Sequence, residues 1–221
     1  MPRGATKGGP PGRPPTTSRA AILDAARELI ERDGWEKLTI RRLATEIGAS
    51  PATVYYHVRD KDDLLVQVLN FYAEELLTPR PELPDDPRER IAAAATLMHD
   101  GLAARPWVVE IITADDLLGE SALWFVESML EGAIAAGADP ERAVHLYRQI
   151  WYYTAGEILI RARRSRRHGE IEGPTFREQA LARLDPDLYP RLSAVADRWP
   201  ELTAEDTYAA GLRALIGAAL P

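Results

Sequence analysis

Between Thr39 and Val58 the chain reads TIRRLATEIGASPATVYYHV, two short helical patterns hinged on Gly48-Ala49-Ser50. Thr39 can cap a helix whose Ile40, Leu43, Ala44 and Ile47 share one face. Gly48 tolerates the positive φ that such a corner needs, and Ser50-Pro51 is a capping residue followed by proline at the first helical position. The second helix, expected to run to about Val58, has only Ala52, Val54 and Val58 to offer a core. One narrow face therefore packs inward. Ser50, Thr53, Tyr55, Tyr56 and His57 remain as neutral donors and acceptors that can meet phosphates and base edges without burying a charge. Two short helices at a glycine corner are the layout of a helix-turn-helix, whose second helix enters the major groove of DNA. Arg41 and Arg42 flank that face from the first helix, and Lys61 opens the helix that follows.

The same punctuation runs along the rest of the chain. Ile22, Leu23, Ala26, Leu29 and Ile30 share a helical face, with Thr17 or Ser18 as cap and Gly34 as terminator. Asp60 caps a helix from Lys61 to about Leu77, and the four prolines of Thr78–Pro87 break the chain. Beyond them the pattern predicts helices over about 88–104, 106–115, 119–136 and 140–166, with Asp139 capping the last of these. A looser stretch, 168–200, has room for one or two short helices. A final helix is expected from about Thr203 to Leu220, with Glu205 and Asp206 in its first turn to complement the dipole. No β-alternation exceeds four residues and no internal repeat is present. The fold class is all-α.

Charge and composition narrow the function. Residues 1–61 hold eleven Lys and Arg against seven Asp and Glu, while the remainder holds sixteen against twenty-seven. An acidic chain with a basic N-terminal quarter suggests that only that quarter meets a polyanion. Residues 1–17 contain five prolines, four glycines and no acid, too little apolar surface to offset ordering entropy, and are read as a disordered basic arm. With no cysteine there is no disulfide framework, thiolate metal site or cysteine nucleophile. No apolar run approaches the ~18–20 residues of a membrane span, and the N-terminus is not an apolar leader, so a soluble cytoplasmic chain is expected. His57, His99, His145 and His168 form no HExxH, no Glu-x-x-His pair and no nucleophile elbow. No catalytic residue, metal or cofactor is expected.

Residues 18–65 resemble the N-terminal domain of the TetR family of bacterial transcriptional regulators. The matching elements are the ILDAA helix, Gly34, Thr39–Ala44, Ile47-Gly48, the Tyr55–Val58 block and the Lys61–Leu64 start. Pro51 and Val58 depart from the pattern, standing where a small residue and a phenylalanine are common. The resemblance implies phosphate contacts at Thr39, Ser50, Thr53, Tyr56 and Lys61, and base-edge positions at Arg41, Pro51, Ala52, Tyr55 and His57. His57 also reads as a half-buried tyrosine neighbour, and Tyr55 as partly core. In the arm, Gly12-Arg13-Pro14 has the core of a minor-groove hook, though a solvated tail reads equally well.

The remainder resembles a tetracycline-repressor-like C-terminal domain through His99-Asp100-Gly101, Gly137, Thr154-Ala155-Gly156 and Ala210-Gly211-Leu212…Gly217. This implies an N-terminal three-helix DNA-binding domain, 18–62, joined by a fourth helix to a larger ligand-binding and dimerisation domain, 63–221. It further implies a homodimer in which the eighth and last helices pair with their copies. Gly156, Ala209, Gly211, Ala214, Gly217 and Ala218 suit such an interface or, equally, an intramolecular core. Met98, Trp107, Val126, Met129, Tyr147, Trp151 and Tyr152 are the candidate lining of an apolar pocket. The positions corresponding to a magnesium–drug site are Arg105, Tyr152 and Ile160, none suited to magnesium, which prefers oxygen ligands and water. A metal-free apolar or aromatic effector is therefore expected. The run Arg161–Arg167 reads as a dipole-complementing helix end rather than a second nucleic-acid patch.

The function implied is a homodimeric repressor released from palindromic double-stranded operator DNA by a small molecule. Control by a protein partner, or action without a ligand, is the alternative. A cavity of roughly a few hundred Å³ in the C-terminal body separates the two.

Overall fold

A computed structural model describes residues 18–115, 117–170 and 173–221, and among these it is helical with no strand. The expected arm, Arg13 included, lies outside the described residues. The chain divides into two compact units between Val68 and Leu69, inside a helix rather than at residue 62.

The N-terminal unit comprises α1 (Arg19–Asp33), α2 (Ile40–Glu46), α3 (Pro51–Tyr55) and the first part of α4 (Lys61–Leu76), with a 3-10 turn at Trp35–Lys37. Each helix begins where the sequence offers a cap. The hydroxyls of Ser18, Thr39 and Ser50 accept from the backbone N–H of Ala21, Arg42 and Thr53, and the Asp60 carboxylate accepts from that of Asp63. Such caps contribute about 1 kcal/mol each. Gly48 has a φ of 63°, the left-handed corner that turns α2 into α3. Ile22, Leu29, Ile30, Leu38, Leu43, Leu64 and Leu65 are the largest fully buried side chains described in this unit, with Val54 buried among the smaller ones, and the first three lie on the inward face of α1. Arg32 braces α1 to α2, donating to Asp33 and to both carboxylate oxygens of Glu46, while Arg42 pairs with Asp33.

The C-terminal unit contains α5 (Pro87–Ala104), α6 (Pro106–Asp115), α7 (Leu123–Ala135), α8 (Pro140–Glu170), three short helices α9 (Phe176–Leu181), α10 (Pro190–Ser193) and α11 (Trp199–Leu202), and α12 (Tyr208–Ala219). Helix α8 packs against α5, α6, α7 and α12. Ile91, Ala95, Phe125, Met129, Leu146, Ile150, Leu212 and Ile216 form one cluster between these helices. Helices α5 and α7 pack tightly at Gly132, where an added Cβ would lie 2.8 Å from the Pro87 carbonyl oxygen and 2.7 Å from Ile91 Cγ1.

Several expected boundaries move, each for a local reason. The helix expected at 119 opens instead as a 3-10 turn over Glu120–Ala122, because the Asn70 side-chain oxygen takes the Ser121 N–H at 2.9 Å. Helix α3 stops at Tyr55 rather than near Val58, although the Val58 N–H still reaches the Val54 carbonyl. The last helix starts at Tyr208, not Thr203. Thr203 ends α11, and Asp206 lies ahead of α12, its carboxylate accepting from the Tyr208 N–H instead of joining the first turn.

Two expectations follow for stability. Gly132→Ala is expected to cost about 1–3 kcal/mol in urea denaturation, because a backbone carbonyl cannot step aside for the new methyl. Hydrogen bonds from Arg32 hold the Asp33 and Glu46 carboxyls below the usual carboxylate range. Depressed in the folded state, they add stability that is present above about pH 4–5 and lost as pH falls further. Arg32→Gln is therefore expected to flatten the acid limb of the urea-midpoint curve between about pH 7 and about pH 3, by a small amount because these groups are solvated.

Candidate functional site

The outward surface of the N-terminal unit is organised by α3. Its Val54 is fully buried, and four residues later Val58 is buried too. With the 54/58 stripe turned inward, Pro51, Ala52, Tyr55 and Tyr56 face solvent, Tyr56 at 86% exposure. Tyr55, expected to be partly core, is 55% exposed, since the two valines already fill the inward face. Thr53 and His57 are half-buried. The Ser50 and Thr53 hydroxyls lie 3.0 Å apart, and the His57 ring meets Tyr56 edge-on with centroids 5.1 Å apart. Thr39 is exposed at the start of α2, its hydroxyl oxygen already holding the Arg42 N–H.

The cations around this face divide into engaged and free. Arg42, expected to flank the face, is held by Asp33. Arg41, one residue earlier and exposed, makes no ion pair among the described residues. The Lys61 ammonium sits 5.2 Å from the Trp35 ring centroid and donates to the Glu36 carbonyl at 3.5 Å, so it is steered but not neutralised by an acid. In the other unit, three arginines of the run near the end of α8 are engaged internally. Arg161 pairs with Glu157, Arg164 donates to the carbonyls of Thr203 and Pro200, and Arg166 pairs with Glu110.

The C-terminal unit holds a cavity of about 480 Å³. Met98, Val126, Tyr147, Trp151 and Tyr152 line it. Two residues of the expected set do not. Trp107 turns against Tyr72, ring centroids 5.5 Å apart, and stands behind the wall that Tyr72 forms. Met129, one turn beyond Phe125 on α7, is 1% exposed within the main core. Of the positions considered for a metal site, Arg105 and Tyr152 reach the cavity, whereas Ile160 is 71% exposed outside it. The walls that sequence reading missed include Leu69, Leu102, Val108 and Leu117, ordinary apolar residues with no local signal to set them apart. Burial pushes the Tyr147 hydroxyl above its ordinary pKa, keeping it a protonated donor.

Beside the cavity, the unit buries a polar belt. The His99 ring stacks on Tyr208 at 3.8 Å, with Nε2 3.1 Å from Glu157 and Nδ1 2.9 Å from Asp100. The Tyr208 hydroxyl lies 2.7 Å from the Thr154 hydroxyl, and burial pushes it up to about 12. Among the described residues no cluster of three metal-ligating side chains occurs, and no helix is long and apolar enough to cross a membrane.

Comparison with known proteins adds the family. Residues 22–68 match the model of bacterial regulatory proteins, tetR family, and residues 80–217 match the tetracyclin repressor-like, C-terminal domain. An HTH-type transcriptional regulator of Saccharopolyspora erythraea is 33% identical over 123 residues, covering 56% of this chain and 52% of its own length. The chain thus spans about half of that relative. UidR of Escherichia coli, also an HTH-type transcriptional regulator, is 29% identical over 207 residues, covering 92% of this chain and 93% of its own. ActR of Streptomyces coelicolor, solved in complex with (S)-DNPA, shares the fold with a TM-score of 0.74 at 21% identity over 92% of this chain and 97% of its own.

Proposed function

We propose a function from one premise: the chain belongs to the tetR family of bacterial regulatory proteins. It is a DNA-binding transcriptional regulator rather than an enzyme. It acts as a homodimeric repressor, released from a palindromic operator when a small, largely apolar molecule enters the C-terminal unit. The observation that carries the ligand-responsive half is the 480 Å³ cavity, apolar over most of its wall and within the size range of small-molecule sites. A solid body would have favoured control by a protein partner. The fold shared with ActR, which holds (S)-DNPA, supports the same reading.

For DNA, Ser50, Thr53, Tyr56 and His57 offer neutral hydrogen-bonding groups on a helix with one buried face, and Arg41 stands beside them without an internal acid. In this reading Thr39, Ser50, Thr53, Tyr56 and Lys61 hold phosphates, while Arg41, Pro51, Ala52, Tyr55 and His57 lie at base edges. Arg13 belongs to an arm for the adjacent minor groove. One such helix reads few base pairs, so two, about 34–36 Å apart in a dimer, supply genomic specificity. Dimerisation is supported by the outward faces of α8 and α12. Gly156 and Gly217 have nothing within 4 Å of an added Cβ, and Ala209, Ala214 and Ala218 are exposed. Gly211 differs: its Cβ would strike the Tyr153 hydroxyl, so its smallness serves packing inside the subunit. Release by ligand requires a preference of ~3 kcal/mol for the geometry that no longer fits the operator, which weakens binding roughly a hundredfold.

The test is operator binding by the full chain and its variants. Arg41→Ala is expected to lose about 1–3 kcal/mol per half-site and relax preference at one base pair. Lys61→Ala is expected to weaken all sequences alike and reduce the salt slope by about one counterion per subunit. Identical, sequence-independent losses would overturn this division. In sedimentation, the wild-type chain is expected to run as a dimer and Gly217→Trp as a monomer with weaker operator affinity. A wild-type monomer with full affinity would remove the dimer from the proposal.

A further inference from the structure

The charges on the cavity wall are one-sided. Among the described residues that line it, the only charged side chains are Arg105 and Arg148; no Asp, Glu, His or Lys is present. The two arginines are not equivalent. Arg148 lies exposed at the mouth, its guanidinium donating to the Tyr152 hydroxyl at 2.6 Å. Arg105 is half-buried at the junction of α5 and α6, its backbone N–H bonded to the Leu102 carbonyl and its own carbonyl to the Val108 N–H. Its guanidinium lies over the Tyr72 ring, 4.3 Å from the centroid, and one nitrogen reaches Glu75 at 3.2 Å. Glu75 is half exposed and takes a single hydrogen bond from this group. A guanidinium carries five N–H donors in a fixed plane, so Arg105 retains donors toward the cavity while Tyr72 and Glu75 fix its orientation.

A neutral apolar molecule filling this space would strip water from the guanidinium donors that Glu75 does not take and return no acceptor to them. Glu75 balances the charge through one nitrogen, but buried N–H donors left without an acceptor still carry their full desolvation cost. An anionic group on the same molecule reverses that penalty, since charge-assisted hydrogen bonds to arginine are about twice as strong as neutral ones. The Tyr147 hydroxyl, which makes no hydrogen bond with another described residue, supplies a further donor on the α8 wall. Building on the reading that this cavity holds the effector, we infer that the effector is an acid: an apolar, ring-bearing molecule whose single carboxylate or comparable anion seats on Arg105. The arginine that disfavours a metal-chelated ligand is thus the residue that selects an anionic one.

The test compares two dyes sharing a ring framework, the anion 8-anilinonaphthalene-1-sulfonate and the neutral N-phenyl-1-naphthylamine, titrated against the full chain by fluorescence. The anion is expected to bind about tenfold more tightly, the scale of one charge-assisted contact in a partly screened site. Arg105→Gln is expected to abolish that preference while leaving the neutral dye within about twofold, and Arg105→Lys to restore part of it. Arg148→Gln, changed at the solvated mouth, is expected to move the anion by less than about threefold. Equal affinities for the two dyes, or a preference that survives Arg105→Gln, would overturn the acid inference. If both dyes bind equally and still release operator DNA, only that inference falls. If neither binds, or if binding is indifferent to the cavity-filling Val126→Trp, the cavity reading falls with it.

Discussion

A helix of five residues has too few hydrogen bonds to hold itself together in water, and α3 is such a helix. Its shape is imposed from outside: by Ser50 and Pro51 at its start, by the left-handed turn at Gly48, and by the burial of Val54 against the unit's core. Helix α2, the element against which α3 packs, is itself only seven residues long and is braced to α1 through Arg32 and Glu46. Because tertiary packing and the cap do the holding, the side chains of Ala52, Thr53, Tyr55, Tyr56 and His57 on and just after α3 are not needed to hold the helix. That freedom lets two tyrosines, a histidine and the Thr53 hydroxyl lie together beside the capping Ser50.

The C-terminal unit solves a different problem with one long helix. Along α8, Leu146, Ile150 and Thr154 enter the core, Tyr147 and Trp151 face the cavity, and Tyr152, Gly156 and Ile160 look outward or to the cavity mouth. These stripes follow from 3.6 residues per turn, so the residues that would feel a ligand alternate with those that hold α5 and α12. The polar belt of His99, Glu157, Thr154 and Tyr208 satisfies the hydrogen bonds that burial would otherwise leave unmade. It also orients the start of α12, whose outward small residues are the proposed dimer surface.

Much of this was legible along the chain. Ser18, Thr39, Ser50, Asp60 and Asp139 cap helices where their side chains said they would, because a cap is a contact between residues two or three apart. The helix-turn-helix was legible for the same reason, its defining features lying within twenty residues. Boundaries that depended on remote partners were not. Asn70, some fifty positions away in sequence, sets the 3-10 turn at Glu120–Ala122.

The limits of local reading are sharpest in the cavity and among the arginines. Aromatic and methionine side chains look alike in sequence whether they wall a void or fill a core, and only the packing of the folded helices separated Tyr147 and Trp151 from Trp107 and Met129. Adjacent residues Arg41 and Arg42 carry the same charge, yet Asp33 engages one and leaves the other exposed. The order of the helices, the turn between α2 and α3 and the neutral polar face of α3 were determined by sequence alone, because propensity, capping and periodicity act over a few residues. Which cations stay free, and which apolar side chains face an empty space, were decided by tertiary structure, because burial and pairing depend on neighbours that only folding brings together.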